Sequence, residues 1–402
     1  MTSSNLFPAS SIASGWAMIT GGICIAALLT SCAPPDPMAQ PQTTPTPEFS
    51  SQLTLQKATL EQANAKGQTL WKIQVEKGQY TPDRKNATLV DIKGDFYQDG
   101  KVVLKVKADQ GEIVQDGKSL ILKDNIVAID PRNNAVLRAQ EVEWLAEESV
   151  LIARNQLKGE HPELTVTAKE GRYDTKHQRL LLTGNIVAIT ENQQKDKPDK
   201  PKDPRRLELK TEAITWEINQ DKIIGDRPLR LVRFQDKTAT DEVKAGRAEV
   251  LLKKKLVHLS QLSEFKSLDP TLQIATDRLT WSYLDRYVAT DSPIKVVDYG
   301  RNVTVQGNQG AVNLVANFAV LQKGTNAISE TQQSQLYADQ LAYSFGPQTL
   351  EATGNVIYEQ QKGMKFNLTG DRAVGSLQNN SVVVTSNQPE RVVTEIYPNS
   401  NR

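Results

Sequence analysis

The sequence predicts an all-β chain of repeated antiparallel hairpins, and three features predict it. The first is a segment that occurs twice without a gap, LKVKADQGEIVQDGKSLILKDNIVAI from Leu104 and LTVTAKEGRYDTKHQRLLLTGNIVAI from Leu164. A fixed period marks units that bury their apolar faces only by stacking on one another. The second is alternation. Trp71, Ile73 and Val75 interleave with Lys72, Gln74 and Glu76, and Leu104, Val106 and Ala108 with Lys105, Lys107 and Asp109. Such alternation gives a strand one apolar and one polar face. The third is turn chemistry between these runs, at Asp99-Gly100, Asp116-Gly117, residues 131–134 and Asp174-Thr175-Lys176, which suits short hairpin connections. Strand, turn and strand return about every 30 residues, so one copy of the repeat and the hairpin 136–142/150–157 share a period of two hairpins.

The elements follow in order. Residues 1–31 read as a signal peptide. The apolar run 16–29 has the length of a signal-peptide core and is short for a membrane span of roughly 20 residues. It runs into Leu29-Thr30-Ser31-Cys32, the pattern of a lipobox, with Cys32 as the lipid-anchor residue. No Lys or Arg precedes Lys57, a departure from the usual basic leader, and an uncleaved signal anchor is the alternative. Either places the rest of the chain outside the cytoplasm on a membrane. Residues 32–52 carry six prolines between Pro34 and Pro47 and form a stiff, solvated tether. A helical segment is an open alternative around residues 52–65. Residues 53–190 form a first β domain. The charged, proline-rich stretch 191–206 is a linker or long loop. The same grammar resumes in a second domain, 207–397, where residues 350–356 (LEATGNV) echo residues 180–186. Residues 398–402 are a tail.

Composition excludes several classes. The net charge is +1 with both signs interspersed, so no basic stripe addresses nucleic acid. The only cysteines are Cys24 and Cys32, which leaves the domains without a disulfide. His161, His177 and His258 stand apart, and no metal-ligand spacing, nucleophile elbow or phosphate loop occurs. Neither an enzyme nor a cofactor is expected. Asp109, Asp277 and Asp339 recur after alternating strands and read as strand-end chemistry. Lys253-Lys254-Lys255 reads as a solvated charge run on a strand edge.

The unit "apolar-x-V-x-A-D-x-(G/A)", a hairpin, then "L-x-L-x-G-N-V" resembles the recurring unit of lipopolysaccharide-transport proteins. The order 70–80, 91–97, 104–111, 120–129 and 137–144 resembles the LptC family, and the second half more loosely the LptA/OstA-like unit. A doubled, lipidated form departs from the single-domain, transmembrane-anchored members and suits a wide envelope such as a cyanobacterium's. Ala33, where aspartate favours inner-membrane retention in enterobacteria, leaves the host membrane open. The resemblance implies an open, V-shaped antiparallel β-jellyroll, here two consecutive OstA-like domains, whose inner face holds lipopolysaccharide acyl chains. Its lining is expected from Trp71, Ile73, Leu104, Val106, Ala108, Leu120, Leu122, Ile126, Trp144, Leu164, Val166, Leu180, Leu182 and Ile186. Facing within residues 125–129 is open, since a one-residue slip reverses it. Ala108, Gly111, Ala168 and Gly171 are expected to leave room for a chain. The resemblance also implies a periplasmic, inner-membrane setting and two kinds of protein partner: the Lpt ABC transporter (permease and ATPase) and an LptA-like bridge. The bridge would pair with an edge strand carrying Val382, Val383, Val384, Val392 and Val393; equally, those strands simply close the second domain. A structural or adhesive β-repeat lipoprotein with a filled core is the rival reading. A β-helix enzyme fits worst.

Overall fold

The computed structural model describes residues 53–190, 205–386 and 392–397. The apolar run, Cys32, the tether and residues 191–204 of the linker lie outside them. Ten long strands come first: β1 (Thr54–Ala63), β2 (Thr69–Tyr80), β3 (Ala87–Gln98), β4 (Lys101–Val114), β5 (Ser119–Asp130), β6 (Ala135–Leu145), β7 (Val150–His161), β8 (Leu164–Asp174), β9 (Arg179–Thr190) and β10 (Arg205–Glu217). Shorter strands follow: β11 (Lys222–Gly225), β12 (Leu229–Gln235), β13 (Thr238–Ala245), β14 (Arg247–Leu251), β15 (Leu256–Ser260), β16 (Ser263–Leu268), β17 (Thr271–Thr276), β18 (Leu279–Ser282), β19 (Tyr287–Thr290), β20 (Ile294–Asp298), β21 (Val303–Gly307) and β22 (Gln309–Asn313). The chain ends with β23 (Phe318–Ser329), β24 (Ser334–Ser344), β25 (Thr349–Gln360), β26 (Lys365–Ser376), β27 (Ser381–Thr385) and β28 (Val393–Tyr397). All pair antiparallel in one 28-stranded sheet. The fold is all-β, as expected. Residues 54–63, where a helix was an alternative, are strand β1, because Leu55, Ala58 and Leu60 pair along β2.

The short strands are halves of long ones. β13 and β14, for example, meet at Gly246, and β15 and β16 at Gln261-Leu262. The long strands carry the same corner internally. In β4, β6, β8 and β24 the register to the next strand slips at Ala108-Asp109, Ala139-Gln140, Ala168-Lys169 and Ala338-Asp339. Opposite them stand Asp124-Asn125, Asn155-Gln156, Gly184-Asn185 and Gly354-Asn355, every one at positive φ, the region Gly and Asn enter most readily. The alanines are buried, since the inside of a bend has room only for a methyl group. The outer residues clamp the corner: Asn125 Nδ2 donates to Asp109 Oδ2 at 2.6 Å, and Asn355 Nδ2 to Asp339 Oδ2 at 2.8 Å. The repeated A-D and G-N motifs are thus corner chemistry.

Gly354 has φ +76°, and a Cβ there would stand 2.4 Å from Asp339 Oδ2. Gly354→Val should therefore cost about 2 kcal/mol or more through left-handed strain and loss of the clamp. Gly346→Ala, where nothing stands within 4 Å of an added Cβ, should stay within about 0.5 kcal/mol. Denaturant unfolding of the two variants checks this.

Bent strands give the sheet two arms, and their hairpin ends form two rims. On one rim each turn bonds to the turn before it: Ala146 N–H to Lys118 O, Thr175 to Ser149, Ile218 to Gln178, Leu252 to Asp221, Tyr283 to Lys255, Leu314 to Arg286 and Phe345 to Asn317. The Ile218–Gln178 bond, with β9 paired to β10 from Arg179 to Ile189, carries the ladder past the linker region. β10 opens at Arg205, at the end of that region. One apolar core runs from Trp71 to Ala373.

Candidate functional site

The arms face each other, so their inner positions form one interior. Phe96, near one rim, stacks on Trp144, near the other, at 4.8 Å and 18°. Phe265 meets Trp281 edge-on in the same way farther along. All fourteen residues expected to line the interior lie in it, at 5% exposure or less. Ile126 and Ala128 face in while Val127 and Ile129 face out, which settles the facing of residues 125–129. Burial of this kind is common to a lipid groove and a filled core. The expected room at Gly111 and Gly171 is absent: a Cβ at Gly111 would meet Ile92 Cδ1 at 2.6 Å and one at Gly171 would meet Leu157 Cδ1 at 2.5 Å. The glycines admit neighbouring side chains rather than leaving space.

The rims are bridged along their length by polar contacts some 45 residues apart in sequence. Trp71 Nε1 donates to Gly117 O at 3.1 Å. Tyr173 Oη donates to Asp130 Oδ2 at 2.6 Å, and Arg132 pairs with Asp130 while reaching Thr175 O at 2.9 Å. Arg286 holds Asp241 through two nitrogens, at 2.9 and 3.1 Å, and Arg233 donates to Tyr283 O. Tyr343 Oη donates to Asp298 Oδ2 at 2.7 Å, with Arg301 on the same oxygen. Gln332 Nε2 donates to Leu377 O. Asp130, Asp241 and Asp298 are buried, and each has a guanidinium partner, as buried charge requires. Burial, together with the adjoining carboxylates, raises the phenols of Tyr173 and Tyr343 above their ordinary value, so both remain donors at neutral pH. The hydrogen bond to Asp130 raises Arg132 likewise.

Sequence reading missed this seam. Its readable signal was a carboxylate on the inward phase at a strand end: Asp130 after Ile126 and Ala128, and Asp298 after Ile294 and Val296. The lysine run also needs correcting. It lies on the turn between β14 and β15, where Lys253 pairs with Asp221 along the same rim and Lys255 with Glu163 across to the other.

Beneath the Asp130 bridge lies a cavity of about 30 Å³ lined by Leu104, Ala128, Leu137, Tyr173, Leu180 and Trp216 among others. The buried indole N–H groups of Trp144, Trp216 and Trp281 have no acceptor. At the carboxy-terminal end β27 and β28 both pair with β26. Val382 and Val384 turn toward the core, whereas Val383, Val392 and Val393 are exposed. Among the described residues no cluster of His, Cys, Asp and Glu could hold a metal ion, and no helix is long and apolar enough to cross a membrane.

Bent antiparallel strands stacked around an apolar interior define an all-β jellyroll. The family model for lipopolysaccharide assembly, LptC-related, matches residues 22–157 and 148–231, together more than half of the chain. The chain belongs to the LptC-related lipopolysaccharide-assembly family. No curated protein matches the sequence.

Proposed function

We propose that this chain is a membrane-anchored, periplasmic, non-enzymatic component of lipopolysaccharide export that takes acyl chains between its two arms and passes them along the sheet. The observation that carries the reading is the uninterrupted apolar interior from Trp71 to Ala373 in a member of this family. Each acyl CH₂ moved out of water contributes about 0.8 kcal/mol, so a few methylene runs in such an interior suffice for firm binding. The lining is the fourteen-residue set above. The anchor is Cys32 as a lipidated residue or, failing cleavage, the apolar run 16–29. Residues 53–190 and 207–397 act as two OstA-like domains on one ladder. β1, paired on one side by β2, is the end facing the ABC transporter. β27 and β28 are the end facing an LptA-like bridge, which they meet by strand addition.

A filled-core structural lipoprotein is the second reading, favoured by the close packing at Gly111 and Gly171. Photocrosslinking in cells separates the two. A photoreactive residue at Val106, Leu122 or Val166 should yield lipopolysaccharide adducts, and one at the exposed Lys105 or Lys107 should not. Folded, membrane-bound protein without adducts at any inward site would leave the filled core.

A further inference from the structure

We propose that the Asp130–Arg132–Tyr173 bridge is a gate through which an acyl chain of an anionic amphiphile enters sideways between the rims, with Arg132 meeting the headgroup. The proposal rests on the carrier reading above and adds where the cargo enters and what admits it. Four observations support it.

The bridge is the buried, charged part of the contacts that must part for the rims to separate here: Tyr173 and Thr175 stand on one rim, Asp130 and Arg132 on the other, with Asn133–Gln178 and Gln98–Thr175 beside them. Directly inside it is the apolar cavity that includes Leu104, Leu137, Leu180 and Trp216. Its 30 Å³ is about one water's share of liquid volume, so a chain fits only if the rims spread. Trp216, whose buried N–H has no acceptor, lines that cavity and suits an ester or amide oxygen carried in with the chain. Arg132 is 30% exposed while its partner Asp130 is 1% exposed. The cation therefore stands at the surface end of the opening, where an anionic headgroup can replace the carboxylate on it. A phosphate accepts the same two-pronged hydrogen bonding as a carboxylate.

The same construction recurs in the second half. Asp298, Arg301 and Tyr343 repeat the arrangement, with Arg301 29% exposed over a 1% exposed Asp298. A second pocket lies one contact farther along, at the Gln332–Leu377 bridge, and is lined by Val303, Leu336, Leu350 and Tyr358 together with Ser329, Gln332 and Ser334.

The test staples the gate in the full chain. Asn133 Nδ2 and Gln178 Oε1 meet across these rims at 3.1 Å, so Asn133→Cys with Gln178→Cys places two thiols there. A short bis-methanethiosulfonate joins them and reductant releases them; the unsubstituted chain given the same reagent controls for Cys24 and Cys32. Purified lipopolysaccharide is the probe, and the readout is its photoadduct at Val106. Stapling should lower the adduct at least tenfold, and reductant should restore it. Undiminished adduct in the stapled protein would overturn the gate and assign entry to the ends of the sheet. Absence of adduct in both stapled and released protein would instead remove the carrier reading on which the gate rests. Arg132→Gln, in protein whose released form still loads, should abolish the preference for lipopolysaccharide over its dephosphorylated form. An unchanged preference would remove Arg132 from headgroup recognition.

Discussion

Trp144→Ala should lower the stability of the first half of the sheet by about 3–5 kcal/mol, the range for a buried aromatic cut to alanine. Trp144 is fully buried, pairs with Leu120 on the neighbouring strand and stacks on Phe96 from the opposite arm. Its removal takes apolar area from the interior and a contact that pins the arms together. The indole N–H has no acceptor, so no hydrogen bond is lost and the cost is that of the cavity. Trp144→Phe, which keeps the stack, should cost a fraction as much. Leu181→Ala, on the exposed face of β9, should stay within about 0.5 kcal/mol. Each hairpin mainly touches its neighbours, and such stacks respond locally. Hydrogen exchange should therefore show Trp144→Ala loosening the strands around β3 to β7 while β23 to β26 keep their protection. Uniform loss of protection would show that the sheet unfolds as one unit.

That locality also explains what the sequence disclosed. Strands and hairpin turns are set within about a dozen residues, so period-two alternation and the Asp-Gly turns marked them, and the residues picked from Trp71 to Ile186 are all buried. The corners were half legible. In β4 the inward residues run Leu104, Val106, Ala108, then Gly111 and Ile113, a one-residue slip of phase at Ala108-Asp109. β8 repeats it at Ala168-Lys169. The slip is visible in sequence and marks a bend, but it looks like the end of a strand until the positive-φ pair opposite it is known. The seam was not legible, because its partners lie about 45 residues apart and no local pattern couples Asp130 to Tyr173 or Asp241 to Arg286. The glycines misled for a related reason. A missing side chain signals close approach, and only the fold tells whether neighbour or ligand fills the gap.

Asp241→Ala should cost about 3–5 kcal/mol, the range for removing one partner of a buried ion pair. Asp241 is fully buried and Arg233 is 4% exposed. Arg286 bonds Asp241 through two nitrogens, and Arg233 NH1 lies 3.7 Å from it. Alanine would leave two guanidinium groups beside one another in a poorly solvated place. Arg233 would keep Tyr283 O and Thr240, and Arg286 would keep Ser267 and Asp269 O, but all of these are neutral acceptors. Exposed pairs give the contrast. Arg372→Ala breaks a contact in which two guanidinium nitrogens donate to one Glu351 oxygen and both side chains are about half exposed, and it should cost at most about 1 kcal/mol. If the deficit in Asp241→Ala is uncompensated charge rather than lost packing, Asp241→Ala with Arg286→Met should recover part of it, since one of the two stranded cations is gone. A double variant as unstable as the sum of the single ones would mean that the cluster acts through shape alone. Denaturant midpoints of the three variants decide between the two.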